Sequence, residues 1–551
     1  MPTHPRTPPF GGAFHRRFTR FSGLYFDEFS TDTAWIREEA VFRLPAMEGV
    51  DSLVITGDFR PHPEARGLAA GFPRLEILVN GRSVRTVSSR RPGGPWEARV
   101  PLDAESSKVG STLCLRLHGV ALTNALAWLG RVTGLGPIQK FRMQCRNRQL
   151  RISGIASGAG EAIYDFSRRE SPYSVAFART HARTGMNIVG FFAADLGIGE
   201  SARCMARAAD AASIATSLVP LKLNCRNRLG DTTYESRLQD INPHGVNVFH
   251  IDPPVARDID HHHGEAFREG KYNIGYFAWE LPEFPDAWMP ALDYFDEVWC
   301  PSAFVRESVS LKTPLPVLTM AHAIGFERPR ERLESIRARL RLPAEPFLFL
   351  CLFDLNSYSA RKNPRAAIEA FRRSGLAGDD AALVIKVQNG DANAAEYAAL
   401  AEAVRYLPGT VLIGETLSRA DIYALEAACD CLISLHRSEG FGLAVAECMY
   451  LGKPVIATGW SATSEYLDAD NGFPVRYSLV ELGQNYGPYS KGSIWAEPDP
   501  AHAAELMRKV VADPKNAGRI GAAARRTIES RFSPSVIGAR YRRRLETIAS
   551  L

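Results

Sequence analysis

Two carboxylates, Glu439 and Glu447, stand eight residues apart in the segment Ser438-Glu-Gly-Phe-Gly-Leu-Ala-Val-Ala-Glu447. Apolar runs flank it, Cys431-Leu-Ile-Ser-Leu435 before and Pro454-Val-Ile-Ala457 after. The pattern predicts strand, glycine turn, helix, strand. A glycine turn that opens a helix after a strand presents backbone N–H groups and the positive helix end, which favours phosphate. Gly440, Phe441 and Gly442 would supply those N–H groups. Eight residues is near two helical periods, so Glu447 is expected two turns along the helix, near the face of Glu439. One carboxylate then reaches sugar hydroxyls beside phosphates and the other a ribose. The plain alternative is a solvated helix carrying two unrelated acids.

Other residues offer complementary chemistry. Arg361 and Lys362 are adjacent in Asp354-Leu-Asn-Ser-Tyr-Ser-Ala-Arg-Lys-Asn-Pro364, just before a predicted helix from Arg365 to Ser374. Fixed cations there would neutralise a diphosphate as its bond to a sugar breaks, with a solvated basic pair as the alternative. In Ala194-Asp-Leu-Gly-Ile-Gly-Glu-Ser-Ala-Arg203, Gly197, Gly199 and Ala202 satisfy G-x-G-x-x-A. A nicotinamide site also wants an acid at the end of the next strand, and Thr216-Ser-Leu-Val-Pro-Leu221 has none. At Gly199 the loop is then either a plain tight turn or a place of close backbone approach. His250 ends an apolar run and either holds a sugar hydroxyl or serves the core. His261-His-His263 has no spaced carboxylate partner, and no metal site is expected.

Glu439 and Glu447 form an E-x7-E pattern, filled by His436-Arg-Ser-Glu-Gly-Phe-Gly-Leu443 and followed by Gly452-Lys-Pro-Val-Ile-Ala-Thr458. This resembles the family-4 glycosyltransferases of the GT-B fold, from Met186 to Leu551. The resemblance implies a retaining glycosyltransferase with a nucleotide-diphosphate sugar as donor substrate and no separate cofactor. It implies Glu439 on the transferred sugar, Glu447 on the ribose, and Arg361 or Lys362 on the diphosphate. Relatives carry an Arg at the first strand end of the second lobe, where this chain has Asp354, so the main cation stays open. The resemblance implies that backbone at Gly199 approaches the donor phosphate or the acceptor. His250 takes the place of a first-lobe active-site histidine, and His322 that of a hinge histidine. Trp279, Glu280, Glu283 and Trp288 resemble an acceptor-side loop, although their composition also suits packing. Ser464-Glu-Tyr466 and Asn471-Gly472 stand where relatives frame the donor. The first lobe has no D-x-D motif, and positive side chains with helix ends replace a divalent cation in such enzymes.

The elements that must position these groups form an α/β chain with two Rossmann-like lobes facing a cleft, preceded by a mainly antiparallel β-sandwich. From Met186 onward apolar runs alternate with helical stretches, which predicts parallel sheets covered on both faces. The expected bounds are a loose tail at 1–23, the sandwich at 24–120, a basic linker at 121–185, a first lobe at 186–330 and a second at 331–551. Leu75-Glu-Ile-Leu-Val-Asn-Gly-Arg-Ser-Val84 carries an Asn-Gly turn between alternating runs, a hairpin signal. The sandwich would bind carbohydrate or serve as a packing module. Lys140, Arg142, Arg146, Arg148 and Arg151 either dock on anionic lipid headgroups or form a solvated linker.

Composition limits the remaining classes. The 551 residues are 45% hydrophobic and 23% charged, ordinary for a globular protein of several domains. A net charge of +5, with no concentrated basic motif of a nucleic-acid reader, points away from nucleic acid. The start lacks the apolar core of a signal peptide, and the longest apolar stretch, near Val120–Leu129, is too short to span a bilayer. Nine scattered cysteines suit reduced thiols. Together these place the chain in the cytoplasm, with peripheral membrane contact resting on the basic cluster. The expected partners are a nucleotide sugar and a glycan or lipid-linked glycan acceptor. Two rivals stand beside the transferase: a nucleotide-sugar epimerase on the same fold, and a non-catalytic carbohydrate-binding protein.

Overall fold

The computed structural model describes residues 21–25, 34–44, 47, 49–59, 74–88, 94–109, 111–118, 150–165 and 185–550, the last apart from 224, 226, 265–266, 269–270, 311, 314 and 379. The N-terminal strands are β1 (Phe21–Tyr25), β2 (Ala34–Leu44), β3 (Ser52–Asp58), β4 (Arg74–Val79), β5 (Arg82–Ser88), β6 (Pro95–Pro101), β7 (Ser111–His118), β8 (Leu150–Ser157) and β9 (Ala162–Asp165). A short helix α1 (Ala104–Val109) precedes β7. All strands pair antiparallel in the order β5-β4-β7-β2-β8-β3-β6, with β1 on β2 and β9 on β8.

Where the sequence predicts a sandwich, these strands form one continuous sheet. It curls until its edges meet, where Arg85 Nη1 donates to Arg99 O at 3.3 Å, so two strand edges cover each other. One core lies within, including Phe42, Ile55, Ile77, Trp96, Leu115, Ile152 and Tyr164. The sheet begins inside the expected tail and takes in β8 and β9, past the expected limit at residue 120. The Asn-Gly hairpin stands as read. Asn80 and Gly81 both have positive φ, +49° and +78°, and join β4 to β5 as a two-residue turn. Of the basic cluster, only Arg151 lies within the described residues, on β8 beside Asp58 at 3.6 Å.

The first α/β lobe contains β10 (Met186–Gly190), β11 (Thr216–Pro220), β12 (Val246–His250), β13 (Tyr272–Tyr276), β14 (Glu297–Cys300) and β15 (Val317–Thr319). The order is β11-β10-β12-β13-β14-β15, all parallel. Its helices are α2 (Gly197–Ala211), α3 (Asp258–His263) and α4 (Ala303–Ser310). β10, β12, β13 and β14 are buried at every residue, as parallel strands covered on both faces must be. Each of the first three carries Asn at its second position. Asn187 donates to Asn247 and Asn247 to Asn273, both at 2.9 Å, a buried amide ladder that fixes strand register.

The second lobe contains β16 (Phe347–Asp354), β17 (Ala381–Gln388), β18 (Thr410–Ile413), β19 (Cys431–Ser434), β20 (Val455–Thr458) and β21 (Phe473–Val475). The parallel order β18-β17-β16-β19-β20-β21 reverses direction between β16 and β19. Its helices are α5 (Leu333–Arg339), α6 (Ser359–Lys362), α7 (Pro364–Ser374), α8 (Ala394–Val404), α9 (Arg419–Ala428), α10 (Leu443–Tyr450), α11 (Pro500–Ala512) and α12 (Pro514–Phe532). A hairpin of β22 (Tyr477–Glu481) and β23 (Ile494–Pro498) forms a separate sheet.

The last helix, α13 (Pro534–Ser550), returns to the first lobe and packs on α2. Gly538 permits the approach, since a Cβ there would lie 2.1 Å from Ala208 O. Tyr541 stacks on Trp299 at 5.4 Å, and Arg544 grips the fully buried Glu297, which also accepts from Trp299 Nε1 (2.6 Å) and Tyr272 Oη (2.8 Å). The helix expected within the second lobe thus completes the first. None of the eight described cysteines forms a disulfide, and among the described residues no helix is long and apolar enough to cross a membrane.

Candidate active site

Ligands of open α/β sheets bind beyond the carboxyl ends of the strands where strand order reverses. In the second lobe that point lies between β16 and β19, and both connections carry the predicted charges. After β16 the chain turns through α6, bracketed by Tyr358 and Asn363, whose φ values are +63° and +52°. Left-handed backbone at non-glycine residues costs of order 1–3 kcal/mol each, and such strain gathers at working sites. Pro364 then starts α7 with its φ preset for a helix. The turn aims two adjacent cations at the loop after β19. Ser461, after β20, is likewise strained at φ +66° and accepts the Glu439 N–H on its Oγ at 2.9 Å.

Glu439 meets both cations. Its carboxylate lies 2.5 Å from Lys362 Nζ and 3.2 Å from Arg361 Nη1. Burial raises its carboxyl, but the pull of Lys362 and Arg361 prevails and lowers it to about 2. Burial pushes the Lys362 ammonium below its ordinary value despite Glu439. Arg361 is buried, donates Nη1 to Ser438 O at 2.9 Å, and lies with its Cζ 5.9 Å from the Tyr489 ring centre. Across the cleft, Glu280 Oε1 of the first lobe is 3.7 Å from Arg361, while its Oε2 accepts from Tyr489 Oη at 3.0 Å. Asp252, two residues past β12, is accessible to water. The protein around it and the Glu280 carboxylate push its carboxyl up to about 6.

The glycines separate into different roles. Gly442 has φ +86° and stands as the N-cap of α10, which has no side-chain cap, so its first-turn N–H groups suit an anion. A Cβ on Gly440 would lie 2.8 Å from Trp279 O of the first lobe, so this glycine serves approach between lobes. Phe441 points into the core, against His322, Tyr466 and Phe532. Gly199 also admits backbone rather than a ligand. A Cβ would lie 2.7 Å from both Phe191 O and Ala194 O, the chain's own loop.

Two further placements differ from expectation. His250 is fully buried, with Nδ1 2.7 Å from Ser201 Oγ and its ring stacked on Tyr276 at 4.5 Å. Burial drives it well below the ordinary histidine range, and it is a neutral core histidine rather than a group facing the cleft. Helix α10 begins only at Leu443, so Glu447 sits about one turn along it, not two. Glu447 is 3% exposed and paired with Arg419, which also lies 3.7 Å from Glu200 of the first lobe. Burial raises the Glu447 carboxyl against the pull of Arg419, and burial beside Glu447 raises Glu426 further. Arg419 had no sequence signal beyond following the N-cap Ser418, and it stands 28 residues before its partner. Tyr489 was equally silent.

The framing residues hold the lobes together. Glu465 accepts from the N–H groups of Ala303 (3.0 Å) and Phe304 (2.7 Å), at the start of α4 in the opposite lobe. Ser302 Oγ donates to Gly440 O at 2.7 Å, and Ser438 Oγ donates to Glu280 O. Asn471 donates to Tyr466 O and Thr527 and is structural. Trp279 packs on Trp288 and Phe284, leaving Glu280 as the member of its loop that reaches Arg361. His322 lies beside Tyr276 Oη at 3.2 Å, consistent with a structural part. Among the described residues no group of three or more His, Cys, Asp or Glu side chains is placed to hold a metal.

The fold and site thus define a two-lobed α/β protein in which Glu439, Lys362 and Arg361 meet where the strand order of the second sheet reverses. Residues 334–527 match the model of the glycosyl transferases group 1 family, a span that includes Glu439, Glu447, Arg361, Lys362 and Arg419. The chain is similar to the human alpha-1,3/1,6-mannosyltransferase ALG2, 26% identical over 193 residues, which are 33% of this chain and 42% of that protein. It therefore spans less than half the length of this curated relative. Among solved structures it is similar to Anabaena Alr3699/HepE, in complex with UDP and glucose, at 14% identity and TM-score 0.49 over 67% of this chain and 100% of that one. A glycosyltransferase from Rickettsia africae is also similar, at 14% identity and TM-score 0.48 over 66% and 98% of the two chains.

Proposed function

We infer that this protein moves a sugar from a nucleotide-diphosphate sugar to a glycan or lipid-linked glycan acceptor, with retention at the anomeric carbon. The observation that carries the reading is the meeting of Glu439 with Lys362 and Arg361 where strand order reverses. The family match over 334–527 supports it. As the sugar–phosphate bond breaks, its electron pair leaves with the diphosphate, and Arg361 with Lys362 neutralises the growing charge. The acceptor hydroxyl oxygen bonds the anomeric carbon, and its proton passes to the departing phosphate. Glu439 holds hydroxyls of the transferred sugar. The uncapped start of α10 takes a phosphate oxygen, and Glu447, once Arg419 moves, takes the ribose. The two cations replace a divalent metal, so chelator leaves turnover unchanged. The protein works at the cytoplasmic face of a membrane, and the basic residues Lys140, Arg142, Arg146 and Arg148 in the sequence carry that part of the reading.

Incubation with UDP-glucose, UDP-N-acetylglucosamine and GDP-mannose, with chelator and membrane-derived acceptors, tests the reading. One donor should lose its sugar to the acceptor fraction in wild type, at least 100-fold more slowly in Glu439→Gln and Lys362→Met, each removing a charge from the reacting centre. Conversion of a donor to its epimer without acceptor would establish the isomerase instead. Binding without turnover of any donor would establish the non-catalytic reading. Equal sedimentation with anionic and neutral vesicles would remove the membrane contact.

A further inference from the structure

Arg361 is buried with part of its donor set unspent, although Nη1 also lies 3.2 Å from Glu439. Its side chain is 4% exposed, Nη1 serves Ser438 O, and Nε has no hydrogen-bond partner. The Glu280 carboxylate facing Nη2 stands 3.7 Å away, beyond hydrogen-bond range, and is held there by Tyr489 Oη at 3.0 Å. A planar guanidinium with free donors matches a bidentate oxyanion, and Glu280 supplies the counter-charge without filling that geometry. The formal charges of Arg361, Lys362, Glu439 and Glu280 sum to zero. A diphosphate entering beside both carboxylates would face like charge in a water-poor site, so one carboxylate must leave. The Glu439 carboxylate is held at 2.5 and 3.2 Å by two cations, and its backbone N–H donates to Ser461 Oγ, all within the second lobe. Glu280 belongs to the opposite lobe, has the long contact, and keeps 21% of its side chain exposed.

We propose that Glu280 is a built-in stand-in for the donor diphosphate: it balances Arg361, is displaced when the donor binds, and then serves the acceptor. This rests on the donor site proposed above and adds its order of binding. Before the donor arrives, the Glu280 carboxylate is engaged with Arg361 and Tyr489. Afterwards it is free, beside the water-accessible Asp252, to accept hydrogen bonds from acceptor hydroxyls. The donor therefore binds before the acceptor, because its arrival creates part of the acceptor site. Glu280 is at once a competitor of the donor and a residue the reaction needs.

The test is the affinity for inorganic pyrophosphate, by titration calorimetry, of wild type, Glu280→Gln, Arg361→Ala and the double variant. Glutamine keeps the shape of the side chain and an oxygen for Tyr489, and melting temperatures without ligand check that each variant is folded. Glu280→Gln should bind pyrophosphate roughly fivefold more tightly, the gain from removing one partly exposed competing charge. In the Arg361→Ala background the same change should give no gain. Sugar transfer by Glu280→Gln should fall at least tenfold in kcat while donor KM stays level or drops, a pattern that loss of structure does not produce. Unchanged, weaker or undetectable pyrophosphate binding in Glu280→Gln overturns the proposal. Parallel titrations with UDP, GDP and ADP separate the two readings. If none binds while pyrophosphate binds more tightly to Glu280→Gln, the nucleotide donor fails and the stand-in remains. If one binds equally to wild type and Glu280→Gln, the stand-in fails and the donor remains.

Discussion

Gly440→Ala tests whether lobe contact at the Glu439 loop sets the chemistry. The new Cβ would stand 2.8 Å from Trp279 O, against the 3.4 Å at which ordinary contact begins, so the lobes must part there by about 0.6 Å. The neighbour is backbone and cannot rotate away. Gly440 is not among the residues with positive φ, so alanine brings no torsional strain of its own and the clash is the whole perturbation. The same displacement stretches the bond from Ser302 Oγ to Gly440 O, now 2.7 Å, and shifts Glu280 relative to Arg361. A misplacement approaching 1 Å at a reacting centre costs roughly 100-fold in rate, so kcat should fall about 10- to 100-fold. The residues proposed to hold the donor lie in the second lobe, and the dissociation constant for nucleoside diphosphate should change by less than about twofold. Stopped-flow or steady-state release of nucleoside diphosphate gives kcat, and calorimetry gives the dissociation constant. A kcat within twofold of wild type would refute the claim that this contact positions the reacting groups.

Three other outcomes follow from the geometry. Arg544→Met leaves the Glu297 carboxylate buried without its cation and should cost about 3–5 kcal/mol, while Glu297→Gln in the same chain should recover most of it. Thermal melts of the single and double variants check this, and a double variant no more stable than the single would assign the loss to packing. Asn247→Ala removes the middle of the amide ladder and leaves the buried Asn273 Oδ1 without its donor, for about 1–3 kcal/mol in urea melts. The Asp252 carboxyl, raised to about 6, is charged above that pH and takes up a proton below it. The acid limb of kcat/KM should therefore lie above the ordinary carboxylate range, and Asp252→Asn should move it down.

How much was legible varies with the range of the forces. Continuous apolar runs such as Phe347-Leu-Phe-Leu-Cys-Leu-Phe353 declare parallel strands, because both faces must be covered. The Asn-Gly turn declares a hairpin because both residues must take positive φ. Glu439 beside Lys362 and Arg361 was accessible to reasoning for a similar reason, since adjacent parallel strands bring their carboxyl ends together. Partners set by lobe packing were not. Nothing near Glu447 names Arg419, and nothing at His250 shows that Ser201 and Tyr276 will enclose it. Spacing placed Glu447 two turns along its helix because it ignored Gly442, whose left-handed φ delays the helix start to Leu443. β8 alternates visibly, yet the arginines before it drew the whole stretch into a linker.

The return of α13 to the first lobe has a consequence for synthesis. β15 ends at Thr319, yet the helix that covers α2 begins only at Pro534, after the whole second lobe. At typical rates of translation the intervening stretch takes roughly 10–40 s to emerge. Through that interval the first lobe exposes the ring of Trp299 and the uncompensated carboxylate of Glu297 to whatever surrounds the ribosome. Completion of the earlier domain is thereby tied to completion of the later one, and a chain halted between them presents an unfinished surface that quality control can recognise.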